Sequence, residues 1–222
     1  MTTTLITGAN RGIGLALARV AIENGHAVLG TARDPAAATE LRDAGARVLG
    51  LDVADLGSVE ALAGELAGEP IDILVNNAAI YPDKAGIEAT DLDAFSRTME
   101  TNVRGPIAVT RALLPNLRAG DRRVIATVSS SMGSIAKADS GRSYAYRMSK
   151  AAVNMMAKAL AAELTDFVCL AVDPGWVRTD MGGAGASISP RESAAGVFRV
   201  VDGARAEQTG GFIRYDGTTL PW

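Results

Sequence analysis

The chain of 222 residues is long enough for one sizeable hydrophobic core, and 48% apolar with 21% charged residues is ordinary for a globular protein. A formal net charge of −3 without a basic stripe argues against nucleic acid, and no apolar run approaches the roughly 20 residues that span a bilayer. The single cysteine, Cys169, and the single histidine, His26, exclude an intramolecular disulfide and a zinc site of several Cys/His ligands. We expect Cys169 in the core, His26 on the surface without a role, and the protein in the cytoplasm.

Short β-like runs alternate with longer helical patterns along the chain. The predicted strands are Thr3–Thr7, Ala27–Thr31, Arg47–Leu51, Ile71–Val75, Arg123–Val128, Phe167–Val172 and Gly211–Tyr215. The predicted helices cover residues 13–24, 36–44, 56–67, 92–118, 143–165 and 190–203. This alternation predicts an α/β fold, with a single Rossmann-type doubly wound parallel sheet of about seven strands and helices on both faces. We expect residues 1–222 to form one domain.

The first strand leads into a glycine-rich loop, Thr7-Gly8-Ala9-Asn10-Arg11-Gly12-Ile13-Gly14, which opens the first helix. Glycines at such a turn let the backbone approach a pyrophosphate, whose charge the helix N-terminus stabilises. The spacing G-x-x-x-G-x-G differs from the commoner dinucleotide motif, and the missing Lys-Ser/Thr argues against an NTPase. The alternative is a glycine-rich turn that binds no ligand.

A phenol and an ammonium lie four residues apart in Tyr146-Arg147-Met148-Ser149-Lys150. Residues i and i+4 share a helix face, and a nearby cation favours the phenolate. The attraction is roughly 4 kcal/mol at about 4 Å and an effective dielectric of about 20, so the pKa of Tyr146 is expected to fall towards neutrality. Such a phenol could protonate a carbonyl or deprotonate an alcohol. The alternative is a solvated helix face, where this spacing is common.

Six motifs in this order resemble the short-chain dehydrogenase/reductase family. They are Thr7–Gly14, Asn76-Asn77-Ala78-Ala79, Asn102, Ser129-Ser130, Tyr146-x-x-x-Lys150 and Pro174-Gly175-Trp176-Val177-Arg178-Thr179. The tail Asp216–Trp222 is similar to that of the branch with carbonyl-reductase-like and C-factor-like proteins. That branch mixes reductases with proteins proposed to signal, so the resemblance does not identify a substrate.

The resemblance implies that Tyr146 is the general acid in carbonyl reduction and the general base in the reverse reaction. Lys150 would lower the pKa of Tyr146 and hold the ribose hydroxyls of the nucleotide. Asn102 would anchor a water that links Lys150 to solvent, although a structural hydrogen bond is the alternative for this residue.

A serine is expected to polarise the substrate carbonyl. The spacing usual in the family points to Gly133, so this chain departs from the pattern. Alignment on the strand end selects Ser130 instead, with Ser129 and Ser131 as alternatives.

The resemblance also implies contacts with a nicotinamide dinucleotide from successive strand ends and from the tyrosine helix. The expected residues are Gly8, Asn10, Arg11, Gly12, Ile13, Gly14, Arg33, Asp52, Val53, Asn76, Ala78, Tyr146, Lys150, Pro174, Gly175, Val177 and Thr179. Arg33 and Arg11 favour NADP(H), because arginine accommodates a 2′-phosphate. Asp34 in a slightly different register would favour NAD(H), which stays possible.

The predicted function is reversible, NADPH-dependent reduction of a ketone or aldehyde carbonyl, with Asn102, Ser130, Tyr146 and Lys150 as the catalytic set. A nucleotide-binding signalling or scaffold protein with little catalysis is the alternative. A sugar-nucleotide epimerase is disfavoured, because fewer than 50 residues follow Gly175.

Small and apolar residues predominate in the three segments expected to line the substrate pocket, 80–85, 134–143 and 181–189. They predict a modestly sized, uncharged carbonyl substrate. The glycine-rich segment 182–187 is either a surface loop or a lid. The long helices at 92–118 and 143–165 predict a homodimer, with a tetramer or a monomer as alternatives, and no metal or membrane is expected.

Overall fold

The computed structural model describes residues 1–222 and contains seven strands and seven α-helices. The strands are β1 (Thr3–Ile6), β2 (Ala27–Ala32), β3 (Arg47–Gly50), β4 (Ile73–Asn76), β5 (Val124–Val128), β6 (Val168–Asp173) and β7 (Gly211–Arg214). The helices are α1 (Gly12–Glu23), α2 (Thr39–Asp43), α3 (Leu56–Glu65), α4 (Leu92–Met99), α5 (Gly105–Ala119), α6 (Tyr144–Glu163) and α7 (Pro190–Asp202). One-turn 3₁₀ helices cover Ile87–Ala89, Ser131–Gly133 and Ala206–Gln208.

All seven strands run parallel in the order β3-β2-β1-β4-β5-β6-β7, which confirms the predicted sheet. Leu5 of β1 pairs with Leu29 on one side and Leu74 on the other. The strand order reverses between β1 and β4, and ligands of such sheets bind beyond the carboxyl ends of the strands at this point.

Alternate residues of each strand face opposite sides of the sheet, and both sides are covered by helices. Ile6 belongs to the apolar cluster that includes α1 and α7, whereas Leu5 belongs to the cluster with α3 and α5. A smaller third cluster joins Ala157 of α6 to Phe212 and the C-terminal Leu220. The architecture is therefore helix, sheet and helix in three layers, as the nearly continuous apolar strands predict.

The helix predicted over residues 92–118 is interrupted by a π-helical turn at Glu100–Arg104, between α4 and α5. Pro106 lies just after the π turn, and because it has no N–H it cannot continue the backbone hydrogen bonds of the preceding turn. Gly105 lies so close to Val53 that a Cβ there would be 3.0 Å from the valine Cβ. The interruption places Asn102 inside the π turn, a feature often found at functional sites.

The sequence predicts His26 on the surface, but its side chain is buried. Its side chain is only 7% exposed, and Nδ1 lies 2.8 Å from Thr4 Oγ1. Nε2 lies 3.4 Å from Asp202 Oδ1, and the ring packs edge-on against Phe198. The sequence could not show this, because the partners come from two distant segments, β1 and α7. Cys169 is fully buried, as expected.

No helix combines the length and the apolarity that a bilayer crossing requires.

Candidate active site

The glycine loop after β1 turns sharply at the carboxyl edge of the sheet. Gly8 and Gly12 have φ values of 63° and 56°, a region that side-chain-bearing residues rarely adopt. Gly14 allows close packing, because a Cβ there would lie 2.6 Å from Asn77 Nδ2. Gly8 and Gly12 are therefore favoured by their backbone conformation, and Gly14 by close packing.

Asn77 ties this loop to the end of β4. Its Nδ2 donates to the carbonyl oxygens of Thr7 (2.9 Å) and Gly8 (3.1 Å), and its backbone N–H donates to Thr7 Oγ1 (3.0 Å). Of this Asn-Asn pair, the sequence predicts only Asn76 as a site residue. The signal that was available is the amide side chain directly after a buried strand, facing a neighbouring loop.

The first turn of α1 suits an anion. Arg11 occupies the N-cap position without a capping side chain, and no acidic residue lies in the first turn. The free N–H groups of this turn can therefore bind a pyrophosphate. Thr179, from the loop after β6, closes the opposite side, with Cγ2 3.5 Å from the position of a Cβ on Gly12. This cradle fits a dinucleotide.

The end of β2 presents a free guanidinium. Arg33 is exposed and has no carboxylate partner, whereas Arg11 Nη1 lies 3.1 Å from Asp180 Oδ2 on the surface. Asp34 Oδ1 instead accepts the backbone N–H groups of Ala36 (3.0 Å) and Ala37 (3.3 Å). The carboxylate that would favour NAD(H) is therefore engaged in a turn of its own.

Two further predicted cofactor residues lie at strand ends. Asp52 accepts the backbone N–H of Ala54 (3.0 Å) in the turn after β3, with Val53 buried beside it. Asn76 donates through Nδ2 to Thr110 Oγ1 (3.1 Å), while its buried Oδ1 has no partner. The last residue of β4 thus leaves one acceptor unsatisfied at the switch point of the sheet.

Lys150 of α6 is buried without a carboxylate partner. Its Nζ donates to the carbonyl oxygen of Val128 (2.8 Å) at the end of β5 and lies 5.5 Å from the ring centroid of Tyr146. Burial lowers the pKa of this ammonium to about 8. A cation is thus held in the interior by one neutral oxygen.

Tyr146 is buried beside Lys150, and its pKa differs from the expectation. Burial raises the pKa of the phenol above its usual range; the hydrogen bond with Ser130 opposes this, and Asp173 and Tyr81 add to it. Burial, rather than the neighbouring ammonium, therefore dominates the pKa of Tyr146. The phenol is therefore neutral at physiological pH.

The three candidate serines have different surroundings. Ser130 is close enough to Tyr146 to lower the pKa of its phenol, whereas Ser129 is buried and donates to Asn154 Oδ1 at 2.5 Å. Ser131 is exposed and begins a 3₁₀ turn. At the position that the usual spacing selects, Gly133, a Cβ would lie 2.7 Å from Lys150 Cβ, so no serine fits there.

Asn102 is buried, and both atoms of its amide are engaged. Oδ1 accepts the N–H of Ile80 (2.8 Å), and Nδ2 donates to the carbonyl of Ile80 (2.9 Å) and to Ser149 Oγ (3.1 Å). These bonds join the loop after β4 to the residue before Lys150. The side chain therefore makes the structural hydrogen bonds that were the alternative prediction.

Tyr81 is a site residue that the sequence analysis missed. Its ring stacks on Tyr146 at 4.2 Å between centroids, and its hydroxyl lies 2.5 Å from Ser143 Oγ. Ser143 adopts a left-handed conformation, with φ 61°, at the start of α6. Nothing in the local sequence marks Tyr81, because the stack depends on two segments 65 residues apart meeting in space.

The loop after β6 is tethered at several points. Gly175, with φ 77°, donates its N–H to Asp173 Oδ1 (3.1 Å), and Thr179 Oγ1 accepts the N–H of Gly182 (3.2 Å). Trp176 Nε1 donates to the carbonyl of Gly182 (2.9 Å). The glycine-rich segment is thus held against the base of its own loop, beside the buried Pro174 and Val177.

The comparisons with known proteins agree with this geometry. A family model described as short chain dehydrogenase matches residues 2–187. The C-signal of Myxococcus xanthus is 42% identical over 166 residues, which cover 74% of this chain and 100% of that protein. The carbonyl reductase Sniffer of D. melanogaster has a TM-score of 0.94 at 32% identity, with 100% of both chains covered. The NADPH-bound carbonyl reductase from chicken fatty liver has a TM-score of 0.93 at 29% identity, covering 100% of this chain and 94% of that one. The chain therefore belongs to the short-chain dehydrogenase/reductase family and is an NAD(P)-dependent oxidoreductase.

Proposed function

We propose that this protein reduces a ketone or aldehyde carbonyl to an alcohol with NADPH, reversibly. The observation that carries the proposal is the buried Tyr146 phenol, which lies beside Ser130 and has the ammonium of Lys150 5.5 Å from its ring centroid. The carbonyl-reductase titles of two structural neighbours point the same way.

The residues of the site act on a carbonyl oxygen as follows. A bound nicotinamide supplies the hydride. Ser130 donates a hydrogen bond to the oxygen as negative charge develops on it, and Tyr146 transfers its proton to the same atom. The raised pKa of Tyr146 keeps that proton in place at neutral pH, which favours reduction over oxidation.

Lys150 and Asn102 support this chemistry indirectly, through the nucleotide and through Ser149 respectively. Lys150 would hold the ribose hydroxyls of the nucleotide, which would replace part of the solvation that its ammonium has lost. We assign Asn102 a positioning role, because it fixes Ser149, the neighbour of Lys150, against Ile80. A water link from Lys150 to solvent would then depend on the backbone of the π turn.

NADP(H) is the proposed cofactor. Arg33 is free to bind a 2′-phosphate, Asp34 is engaged in its own turn, and the exposed pair between Arg11 and Asp180 costs little to break. Phosphate contacts would come from Gly8–Gly14, adenine contacts from Asp52 and Val53, and nicotinamide contacts from the loop after β6. The NADPH bound to the chicken reductase agrees with this preference.

We also propose a homodimer through α5 and α6. Met148 and Met155 lie seven residues apart on α6 and are 50% and 68% exposed, and Ile107 of α5 is 48% exposed. Exposed apolar side chains at helical spacing favour a helix–helix interface.

The proposal is tested by following NADPH and NADH oxidation with a panel of aldehydes, ketones and diketones. Tyr146→Phe is expected to lower kcat by about 1,000-fold while binding NADPH normally, because it removes the proton but not the ring. Tyr144→Phe, two residues earlier in α6, is the matched control and should keep full activity. Full activity in Tyr146→Phe would refute the mechanism. Tight NADPH binding by the wild type without any reduction would favour the signalling alternative.

A further inference from the structure

A cavity of about 340 Å³ lies between the 3₁₀ turn after Ser130, the end of β6 and the end of β7. Met132, which lines it, donates its backbone N–H to Ser130 Oγ (3.2 Å). Asp173 in its wall is close enough to Tyr146 to affect the pKa of that phenol. The cavity therefore adjoins the reacting groups, and its volume is within the range of small-molecule sites.

Three cations, Lys137, Arg147 and Arg214, face two carboxylates, Asp139 and Asp173, in the wall of this cavity. Lys137 is exposed and has no carboxylate partner. Arg147 Nη2 lies 4.0 Å from a carboxylate oxygen of Asp139, which is 91% exposed, so this ion pair is long and solvated. The cations are therefore only weakly neutralised.

Arg214 contacts two carboxylates, but only at long distances. Its Nε lies 3.8 Å from Asp173 Oδ2 and its Nη1 lies 3.5 Å from Asp216 Oδ2, and none of its side-chain N–H groups makes a hydrogen bond. Asp173 Oδ1 instead accepts the backbone N–H of Gly175 (3.1 Å). The guanidinium keeps a planar set of donors suited to a carboxylate.

We propose that this cavity binds a carboxylate group of the carbonyl substrate, through Arg214 with Lys137 and Arg147 beside it. The inference rests on the proposed function, because the carboxylate would lie at the end of the substrate opposite the carbonyl that is reduced. Arg147 and Arg214 each have a carboxylate within 4.0 Å, whereas Lys137 has none. The cavity therefore has room for one negative charge, which favours a carboxylate over a phosphate of charge about −1.5 to −2. The substrate is then a keto or aldehydo acid.

This replaces the uncharged substrate expected from the sequence. That expectation rested on segments 80–85, 134–143 and 181–189, in which small and apolar residues predominate although Lys137 lies in the second. Arg214 lies outside all three and reaches the cavity only because β7 pairs with β6, where Arg214 is the register partner of Asp173.

The first test measures binding without turnover. Para-acetylbenzoate and its methyl ester are titrated calorimetrically into the protein saturated with NADP⁺, a combination in which no hydride can be transferred. Longer aliphatic keto acids and their methyl esters extend the series. We expect at least one acid to bind about tenfold more tightly than its ester, with a preference that weakens as salt is raised.

Lys137→Gln and Arg214→Gln should each remove most of the preference for the acid. Arg199→Gln, an exposed arginine of α7, is the matched control and should retain it. Lys137→Gln changes an exposed side chain without hydrogen bonds, so the test holds even if Arg214→Gln fails to fold. Equal binding of every acid and its ester, or a preference unchanged in Lys137→Gln, would overturn the proposal.

Turnover of the same pairs with NADPH separates the two proposals. Reduction of acid and ester at equal kcat/KM would overturn the carboxylate site but support carbonyl reduction. Preferential binding of the acid without any NADPH oxidation would support the carboxylate site and count against the proposed reaction.

Discussion

Polar side chains are buried at both ends of the parallel strands, which we call the amino edge and the carboxyl edge of the sheet. The hydrogen-bonding groups at the two edges are satisfied to different extents. At the amino edge, Asp72 accepts backbone N–H groups from Thr3 (2.7 Å), Asp121 (2.8 Å) and Arg122 (3.3 Å). His26 there contacts both Thr4 and Asp202. Each of these groups has partners from within the chain.

The carboxyl edge differs in leaving polar groups without such partners. Lys150 Nζ bonds to a single neutral oxygen, and Asn76 Oδ1 has no hydrogen-bond partner. The first turn of α1 has no capping side chain. Arg33 and Arg214 make no side-chain hydrogen bonds. Asn76 Oδ1 and the Lys150 ammonium are buried, and buried polar groups with too few partners cost free energy. Their position at this edge indicates that external ligands satisfy them.

The largest effect on stability is expected at the amino edge. Asp72→Ala should lower the free energy of unfolding by about 3 kcal/mol or more, because it leaves backbone N–H groups buried without acceptors. Burial alone would raise the pKa of Asp72, but these bonds lower it overall, so its contribution is present above the unfolded pKa and is lost as pH falls through the folded pKa. Denaturant unfolding measures the change.

Asp121→Ala is the matched control, since the Asp121 side chain is exposed and only its backbone bonds to Asp72. The dissociation constant of NADPH should be unchanged in both variants. If Asp72→Ala lost more free energy of NADPH binding than free energy of unfolding, the two edges would not act independently.

Ser130→Ala should reduce kcat by about 100-fold with little change in stability, because it removes one donor from the developing oxyanion. Ser129→Ala should instead destabilise the fold through the lost bond to Asn154, and Ser131→Ala should change neither. Steady-state kinetics and thermal unfolding of the three variants measure these effects. Loss of kcat in Ser131→Ala but not in Ser130→Ala would reassign the serine.

A smaller and more selective effect is expected at the end of β2. Arg33→Gln should weaken NADPH binding about 30-fold, equivalent to about 2 kcal/mol, and leave NADH binding unchanged. Fluorescence titration with the two nucleotides measures both, and NADH is the internal control. Equal losses for the two nucleotides would mean that Arg33 does not contact the 2′-phosphate.

Most of the fold could be predicted from the sequence because each strand and helix carries its own periodicity. The glycine loop and the spacing of Tyr146 and Lys150 are local, so they were found without knowledge of tertiary contacts. The π turn around Asn102 was not predicted, because an extra residue in a helical turn does not alter the apolar pattern enough to be recognised.

The features that the sequence did not reveal all depend on contacts between distant segments. Tyr81 stacks on Tyr146, Arg214 is in register with Asp173, and His26 reaches Asp202 only after folding. The pKa of Tyr146 differs from the expectation because burial of the phenol, which depends on packing between distant segments, raises it. Spacing placed the ammonium near the phenol, but the carbonyl of Val128 determines where that ammonium lies.

Lys150 gives the sharpest comparison between stability and ligand binding. Its pKa is about 8 in the folded chain against 10.5 for an unperturbed lysine, so the buried ammonium costs roughly 3 kcal/mol at pH 7. Without cofactor, Lys150→Met should therefore be more stable than the wild type at pH 7. The difference should shrink as pH rises from 8 towards 10.5, where only the unfolded lysine still holds its proton.

The most direct test is the unfolding free energy of wild type and Lys150→Met at pH 7, with and without saturating NADPH. The cofactor should stabilise the wild type far more than the variant, because it binds the folded state and gives Lys150 its missing partners. The predicted result is that the order of stability reverses when NADPH is added. Wild type more stable than the variant without cofactor, or equal stabilisation of both by NADPH, would contradict the conclusion that this edge is left unsatisfied for its ligands.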